Sequence, residues 1–300
     1  MIIGCGAGRQ SGNLLLSWTS WSVIDNVHRI SQLLSVPFPM ASDLIMSKPT
    51  VSLVIIDTST YRLASQAVQH SVQNFPFDEI LIFSDVTSEW EGRDVHIIPR
   101  IQNLTAYSEF VIFKLPSFIK TDFFLIIQWD GFVIRGDEFS PHFYHYDYIG
   151  ALWPWYTEFR VGNGGFSWRS KKLADAVLTL SIEQRAQIMR DQPNEDVWIC
   201  RTNRVHLEDR YKIHFAGPDI AAHFSLEYGT SRHPTFGFHG IFQMPYLYAD
   251  NLDWFIENLP IRVLESEQGF SQIGDGLKRI SPPHYDVWAH KREALLKKPQ

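Results

Sequence analysis

LIIQWDGFVI, residues 125–134, is an apolar run that contains one carboxylate. Leu125, Ile126 and Ile127 read as one buried strand, and Phe132, Val133 and Ile134 as another. Asp130 stands between them, before Gly131. An acid at that position either caps a turn or projects from a strand end into a ligand crevice. The surrounding pattern decides what kind of sheet it belongs to.

Upstream, VSLVII (51–56) is a short β-branched run, and TYRLASQAVQHSVQN (60–74) has helical spacing. EILIFSD (79–85) and VHIIP (95–99) are strand-like again. TAYSEFVIFKLPSFI (105–119) reads as a helix to Leu115, where Pro116 should break it. FFLIIQWD (123–130) closes the series. Short apolar strands alternating with helices predict an α/β fold: a mostly parallel, Rossmann-like sheet with helices on both faces. Crossovers in such a sheet are right-handed. Ligands bind beyond the carboxyl ends of its strands, where Asp57, Asp85 and Asp130 all stand.

The bulk numbers fit one large domain with an extension. Of 300 residues 45% are hydrophobic, and 33 acidic against 27 basic residues give a net charge of −6. That balance argues against a nucleic-acid partner. Cys5 and Cys200 make neither a disulfide framework nor a cysteine metal cluster, which suits a reducing compartment. No run reaches the ~20 apolar residues of a membrane helix. The first residues lack the charged and apolar regions of a signal peptide. Gly4, Gly6 and Gly8 invite a dinucleotide reading, but Arg9 occupies the place of the third glycine. Residues 1–48 read as a short, mainly helical extension, with an amphipathic helix over 13–34. Residues 49–300 read as the main domain.

The second half supplies further candidates. DYIGALW (147–153) is strand-like and ends at Trp153, with Trp155 beyond it. VGNGG (161–165) can bring backbone N–H groups close to a hydroxyl-rich or anionic ligand, or can be a plain glycine hairpin. No G-K-[ST] follows, which excludes a Walker loop. A helix opens at about Ser170. Glu195 and Asp196 follow Asn194, a candidate N-cap. They are either first-turn acids matched to the helix dipole or a catalytic carboxylate with a neighbour that tunes it. His239 follows the short aromatic strand in FGFHG (236–240). With a strand-end acid it would suit a divalent cation.

Taken in order, LIIQWDGFVI, YDYIGALW, VGNGGFSWRS, EDVWICR and FGFHG resemble a mostly bacterial family long labelled as of unknown function and regarded as glycosyltransferase-like, with the GT-A fold. The resemblance covers about residues 50–242, with Leu152 where the family usually has proline. More distantly the pattern is similar to inverting β-1,4-galactosyltransferases. Asp130 then matches the last acid of D-x-D, and Gln128 stands where the first acid would be.

That resemblance implies transfer of a sugar from a nucleotide-sugar donor to a glycan or lipid-linked glycan acceptor. It further implies an inverting, metal-assisted reaction in surface-polysaccharide assembly, in the cytoplasm or at the inner membrane face. Asp196 would be the base and Glu195 would orient the acceptor. Asp57, Asp85, Gln128 and Trp129 would face the donor, as would Asp130, Asn163, Gly164 and Gly165. Trp153, Trp155 and Trp168 would offer faces to acceptor sugars. Asp130 and His239 would hold Mn²⁺ or Mg²⁺, with Arg169 the next candidate for leaving-group charge. The basic stretch HKREALLKK (290–298) could touch an anionic membrane or be a solvated helix. The alternatives are a non-catalytic carbohydrate-binding or scaffold protein of the same fold and a nucleotidyltransferase. The latter lacks its glycine-rich loop, because DTSTYRLAS (57–65) follows the first strand.

Overall fold

The computed structural model describes residues 48–90, 92–184, 194–228 and 233–297. The proposed extension and its helix lie outside the described residues, apart from Lys48.

Strand β1 (Val51–Ile56) is buried along its whole length and leads into helix α1 (Tyr61–Asn74). β2 (Glu79–Ser84) and β3 (Val95–Ile97) follow, then α2 (Leu104–Phe113) and β4 (Phe123–Ile127). Side chains alternate across β1, as a strand requires. Leu53 and Ile55 pack with Leu63, Ala64, Ala67 and Val68 of α1. Val54 and Ile56 join Tyr107 and Val111 of α2 on the other face. The sheet thus separates two apolar layers, and helices cover both faces. Asn103 caps α2 by accepting the Ala106 N–H at 2.9 Å. That helix ends at Phe113, short of Leu115, because Pro116 belongs to a separate 3₁₀ turn at Leu115–Ser117.

Beyond β4 the chain makes β5 (Tyr148–Ile149), β6 (Ala151–Leu152), β7 (Val161–Gly162) and β8 (Ser167–Ser170). The main sheet has the order β3-β2-β1-β4-β8-β5. The first four are parallel, while β8 runs antiparallel to both β4 and β5. This is a mixed, mostly parallel α/β sheet of GT-A or Rossmann-like architecture. Ser170 ends β8 and caps α3 (Lys171–Glu183) by accepting the Leu173 N–H.

Phe132–Ile134 does not form the second strand that its composition suggests. Gln128 and Gly131 exchange backbone hydrogen bonds of 2.9 and 3.1 Å, which reverses the chain at once. The residues beyond it hold the segment around β10 (Gly237–Phe238) through Ile134 N–H to the Phe236 carbonyl. Phe132 and Val133 are fully buried there, and Val133 makes one antiparallel bridge to Gly237, so the apolar signal was one of burial with a single bridge in place of a full strand.

The rest of the chain is mainly helical: α4 (Glu195–Val197), a π turn at Trp198–Thr202, α5 (Arg204–Tyr211), α6 (Pro218–Phe224) and, after β9 (Ser225–Leu226) and β10, α7 (Met244–Leu247). Then come α8 (Leu252–Asn258), α9 (Ile261–Glu265), α10 (Glu267–Ile280) and α11 (Pro282–Leu296). Phe255, Val263, Ile273, Leu277 and Trp288 carry α8–α11 onto the α1 face of the sheet. In α11, Arg292 pairs with Glu267 of α10 and Lys291 donates to the Ile256 carbonyl, so its basic residues brace neighbouring helices. Among the described residues no helix is long and apolar enough to cross a membrane.

Candidate active site

The site begins at the carboxyl ends of β1 and β4. The Gln128–Gly131 turn presents Asp130, and the Asp130 carbonyl accepts the Gly240 N–H at 2.7 Å. This bond fixes the segment that carries His239 against the turn. A Cβ on Gly131 would lie 2.7 Å from His239 Cδ2, so the ring can settle here because residue 131 is glycine. Asp130 Oδ1 and His239 Nε2 end 3.9 Å apart.

Two cavities meet at this wall, sharing Gln128, Glu227, Tyr228 and His239. The larger, about 580 Å³, is also lined by Trp129, Asp130 and Arg262. The other, about 360 Å³, is lined by Trp153, Trp155, Asn163, Gly164, Gly165, Glu195 and Asp196. A smaller space of about 140 Å³ holds Asp57 beside Gln128, Trp129 and Arg262. Most residues singled out in the sequence therefore converge on one cleft.

Two do not line it. Trp168 is fully buried, stacked on Phe123 at 5.2 Å and packed by Phe139 and Tyr144. It is a core residue and cannot receive an acceptor sugar. Asp85 instead accepts a 2.8 Å hydrogen bond from Tyr61. Burial, and then that carboxylate, push the Tyr61 hydroxyl up to about 12. Asp57 caps its own turn, accepting the Ser59 and Thr60 N–H groups. Burial still raises its carboxyl above the usual range.

In VGNGG the left-handed residue is Asn163, φ 73°, and not a glycine. Gly164 and Gly165 serve a different end. A Cβ on Gly164 would lie 1.8 Å from Glu195 Oε1, and one on Gly165 2.2 Å from His239 Nε2. The two glycines make room for the site's own side chains. Both also line the cavity of about 360 Å³ with their backbone.

Glu195 is held in place by a buried ion pair. Its Oε1 accepts from Arg169 at 2.9 Å, and both side chains are buried. Arg169, in turn, is unavailable to a leaving group. Asn194 provides no side-chain cap; the Ser108 hydroxyl takes the Glu195 N–H instead. Asp196 accepts N–H groups from Gly164 and Val197 at 3.0 and 2.7 Å. Burial, and then the Glu195 charge, push its carboxyl up to about 6 against those two hydrogen bonds.

Whether Asp130 and His239 could hold a divalent cation depends on the imidazole. Asn163 Oδ1 accepts the Gly165 N–H at 2.8 Å, so its NH₂ faces His239 Nδ1 at 2.9 Å. The shorter contact, to the Asn163 amide, assigns Nδ1 as acceptor over the 3.3 Å approach of Glu227 Oε1, which leaves the proton on Nε2, 3.3 Å from Gln128 Oε1. Burial acts to lower the imidazole, but the Glu227 hydrogen bond and the charges of Asp130 and Glu227 outweigh it and raise it. A ring that gains its second proton still carries one on Nε2. Metal ligation needs a bare nitrogen there. Among the described residues no three His, Cys, Asp or Glu side chains gather to hold a metal ion. The pair is brought together as expected, but its donor chemistry in this arrangement does not fit a cation. Asp130 Oδ1 remains buried without a hydrogen-bond partner, and burial raises its carboxyl.

Sequence reasoning missed Glu227, Tyr228 and Arg262. Tyr228 meets Trp155 edge-on at 4.8 Å across the mouth of the cleft. None of the three sits in a patterned motif.

A family model described as "Protein of unknown function (DUF5672)" matches residues 97–239. That segment contains Asp130, Asn163–Gly165, Glu195 and Asp196 and ends at His239, while Asp57, Asp85 and Arg262 lie outside it. No curated protein matches the chain. Among solved structures, a glycosyltransferase involved in glycosylation of the major capsid of PBCV-1 is 10% identical. It aligns over 64% of this chain and 92% of its own, with a TM-score of 0.44. The glycosyltransferase GlyE of Streptococcus pneumoniae TIGR4 is 13% identical over 71% of this chain and 52% of its own, with a TM-score of 0.39. Glucosyl-3-phosphoglycerate synthase of Mycobacterium tuberculosis, in complex with Mn²⁺, UDP-glucose and phosphoglyceric acid, is 11% identical. It aligns over 56% of this chain and 81% of its own, with a TM-score of 0.30.

Proposed function

We propose that the protein is a glycosyltransferase that moves a sugar from a nucleotide-sugar donor to a hydroxyl of a glycan acceptor with inversion. The observation that supports this reading is the pair of cavities meeting at the Gln128–His239 wall. One opens at the strand ends beside Asp57 and Asp130, and the other holds Asp196. The first suits a nucleotide sugar, by the general placement of ligands in open α/β sheets. The second offers a base and the exposed ring of Trp155 to an acceptor.

In this reading the acceptor oxygen attacks the anomeric carbon from the Asp196 side. The bond from that carbon to the diphosphate breaks, and its electron pair leaves with the phosphate. The hydroxyl proton passes to Asp196. Each carboxylate oxygen keeps a lone pair after accepting its backbone N–H, so a site for the proton remains. A carboxyl near 6 is ionised at neutral pH, yet basic enough to take a proton in the transition state. Glu195, locked by Arg169, supplies the charge that helps keep it there. No step requires a metal.

The test is to incubate the protein with α-linked nucleotide sugars and glycan acceptors and assign the product linkage by NMR. A β-linked product supports single displacement, and a retained α-linkage overturns it. Asp196→Asn should lower turnover by roughly 10²–10⁴-fold with donor binding kept. Nucleotide-sugar binding without transfer to any acceptor would favour a non-catalytic carbohydrate-binding protein.

A further inference from the structure

We infer that Arg262 holds the diphosphate of the donor and takes up the charge that develops on it as the glycosidic bond breaks. The inference rests on the donor reading above.

The walls of the donor side are acidic. Asp130 and Glu227 line the larger cavity, and Asp57 lines the smaller one beside it. A nucleoside diphosphate brings at least two more negative charges into that field. Like charges this close repel, so a cation must stand among them. Across all three cavities Arg262 is the one lysine or arginine on the walls among the described residues.

Its position suits the task. Arg262 lines both donor-side cavities, as do Gln128 and Trp129. The guanidinium lies 6.0 Å from the Trp129 ring centroid, within reach of a cation–π contact that steadies the long side chain. Burial raises the Asp57 and Asp130 carboxyls and the Arg262 charge partly offsets this, yet among the described residues Arg262 forms an ion pair with neither. The residue is exposed and lines both cavities, so its hydrogen-bond donors are open to a ligand. Arg169 is different, because Glu195 engages it in the core. The planar fork of an arginine matches two phosphate oxygens at once.

This placement orders the donor along the cleft. The nucleoside lies toward Asp57, the diphosphate beneath Arg262, and the sugar against the Gln128–His239 wall that the acceptor cavity shares. Gln128 then needs no negative charge, since no metal has to be balanced there.

The experiment measures binding of inorganic pyrophosphate, UDP and GDP by calorimetry at low salt, with EDTA or with Mn²⁺. Wild type, Arg262→Ala and Arg262→Lys are compared after thermal melting has established equal folding. The expected result is binding in EDTA that weakens by roughly 10–100-fold in R262A. R262K should recover part of it, because the point charge returns without the fork. Equal affinity of R262A and wild type overturns the inference and leaves the donor reading standing. So does binding that requires Mn²⁺ and ignores Arg262. Failure of all three probes to bind wild type under either condition overturns the donor reading, and this inference with it.

Discussion

Arg169 Nη2 and Glu195 Oε1 lie 2.9 Å apart, with side chains 3% and 4% exposed, and Glu195 is next in sequence to Asp196, the carboxylate proposed as base. Glu195 keeps the guanidinium charged against the effect of burial, the Tyr148 ring centroid lies 5.2 Å from it, and Ser167 accepts from its Nε. This pair does two jobs at once: it fixes the Glu195 carboxylate in the core and sets the field in which Asp196 titrates.

The pH dependence follows from that field. The proposed transfer needs ionised Asp196, whose carboxyl is pushed up to about 6. The rate constant kcat/KM should therefore fall tenfold per pH unit below about 6 and level off above it. Glu195→Gln removes a negative neighbour and makes ionisation easier, so the acid limb should move to lower pH. The same change leaves Arg169 buried without its partner charge, a loss of about 3–5 kcal/mol by urea unfolding. An acid limb that stays in place in E195Q would remove Glu195 from the tuning of Asp196.

The glycine pair offers a test of close packing. Gly164→Ala would drive its Cβ into Glu195, and Gly165→Ala into His239. Neither glycine has a positive φ, so backbone strain is not the issue. G164A should disturb the Arg169–Glu195 pair and shift the pH profile as E195Q does. G165A should leave that profile alone and weaken donor binding, because it displaces the ring against Gln128. Matching pH profiles in both variants would show that the two contacts are not separable.

The alternation of strands and helices, and the strand-end position of Asp130, were legible because burial on both faces imposes continuous apolar runs. VGNGG and the Glu195–Asp196 pair were visible as residue types, but their partners were not. Arg169 and Glu195 are 26 residues apart and meet through the antiparallel placement of β8. Phe132–Ile134 misled because burial and sheet pairing leave the same apolar signature in three residues. Arg262 reaches the cleft through the packing of α9 and α10, and that long-range path leaves no local pattern.

Trp168 and Trp155 look alike in sequence and should part sharply on substitution. Trp168 is fully buried among aromatic rings, so Trp168→Ala should cost about 3–5 kcal/mol of stability. Trp155 is 55% exposed at the cleft mouth. Trp155→Ala should leave the melting temperature nearly unchanged and raise KM for the acceptor with little effect on donor hydrolysis. An unchanged acceptor KM would remove Trp155 from the acceptor side.

Asn163 combines a left-handed backbone with the contact that sets the His239 tautomer, and two substitutions separate these roles. Asparagine tolerates φ 73° better than most residues, glycine tolerates it freely, and alanine does so at about 1–2 kcal/mol. Asn163→Ala should thus be less stable than Asn163→Gly by about that amount. Both variants lose the amide that bonds to His239 Nδ1, so both should free the ring to place its proton toward Glu227, 3.3 Å from Nδ1. Nitrogen-15 NMR of the histidine ring reads this directly. Wild type should carry the Nε2 proton with Nδ1 accepting, and N163G should show protonation at Nδ1. With Nε2 bare, N163G would meet the donor requirement that the wild-type ring fails, so Mn²⁺ should affect the variant more strongly than the parent. A wild-type spectrum with a bare Nε2 would overturn the tautomer assignment and restore Asp130 and His239 as a cation site.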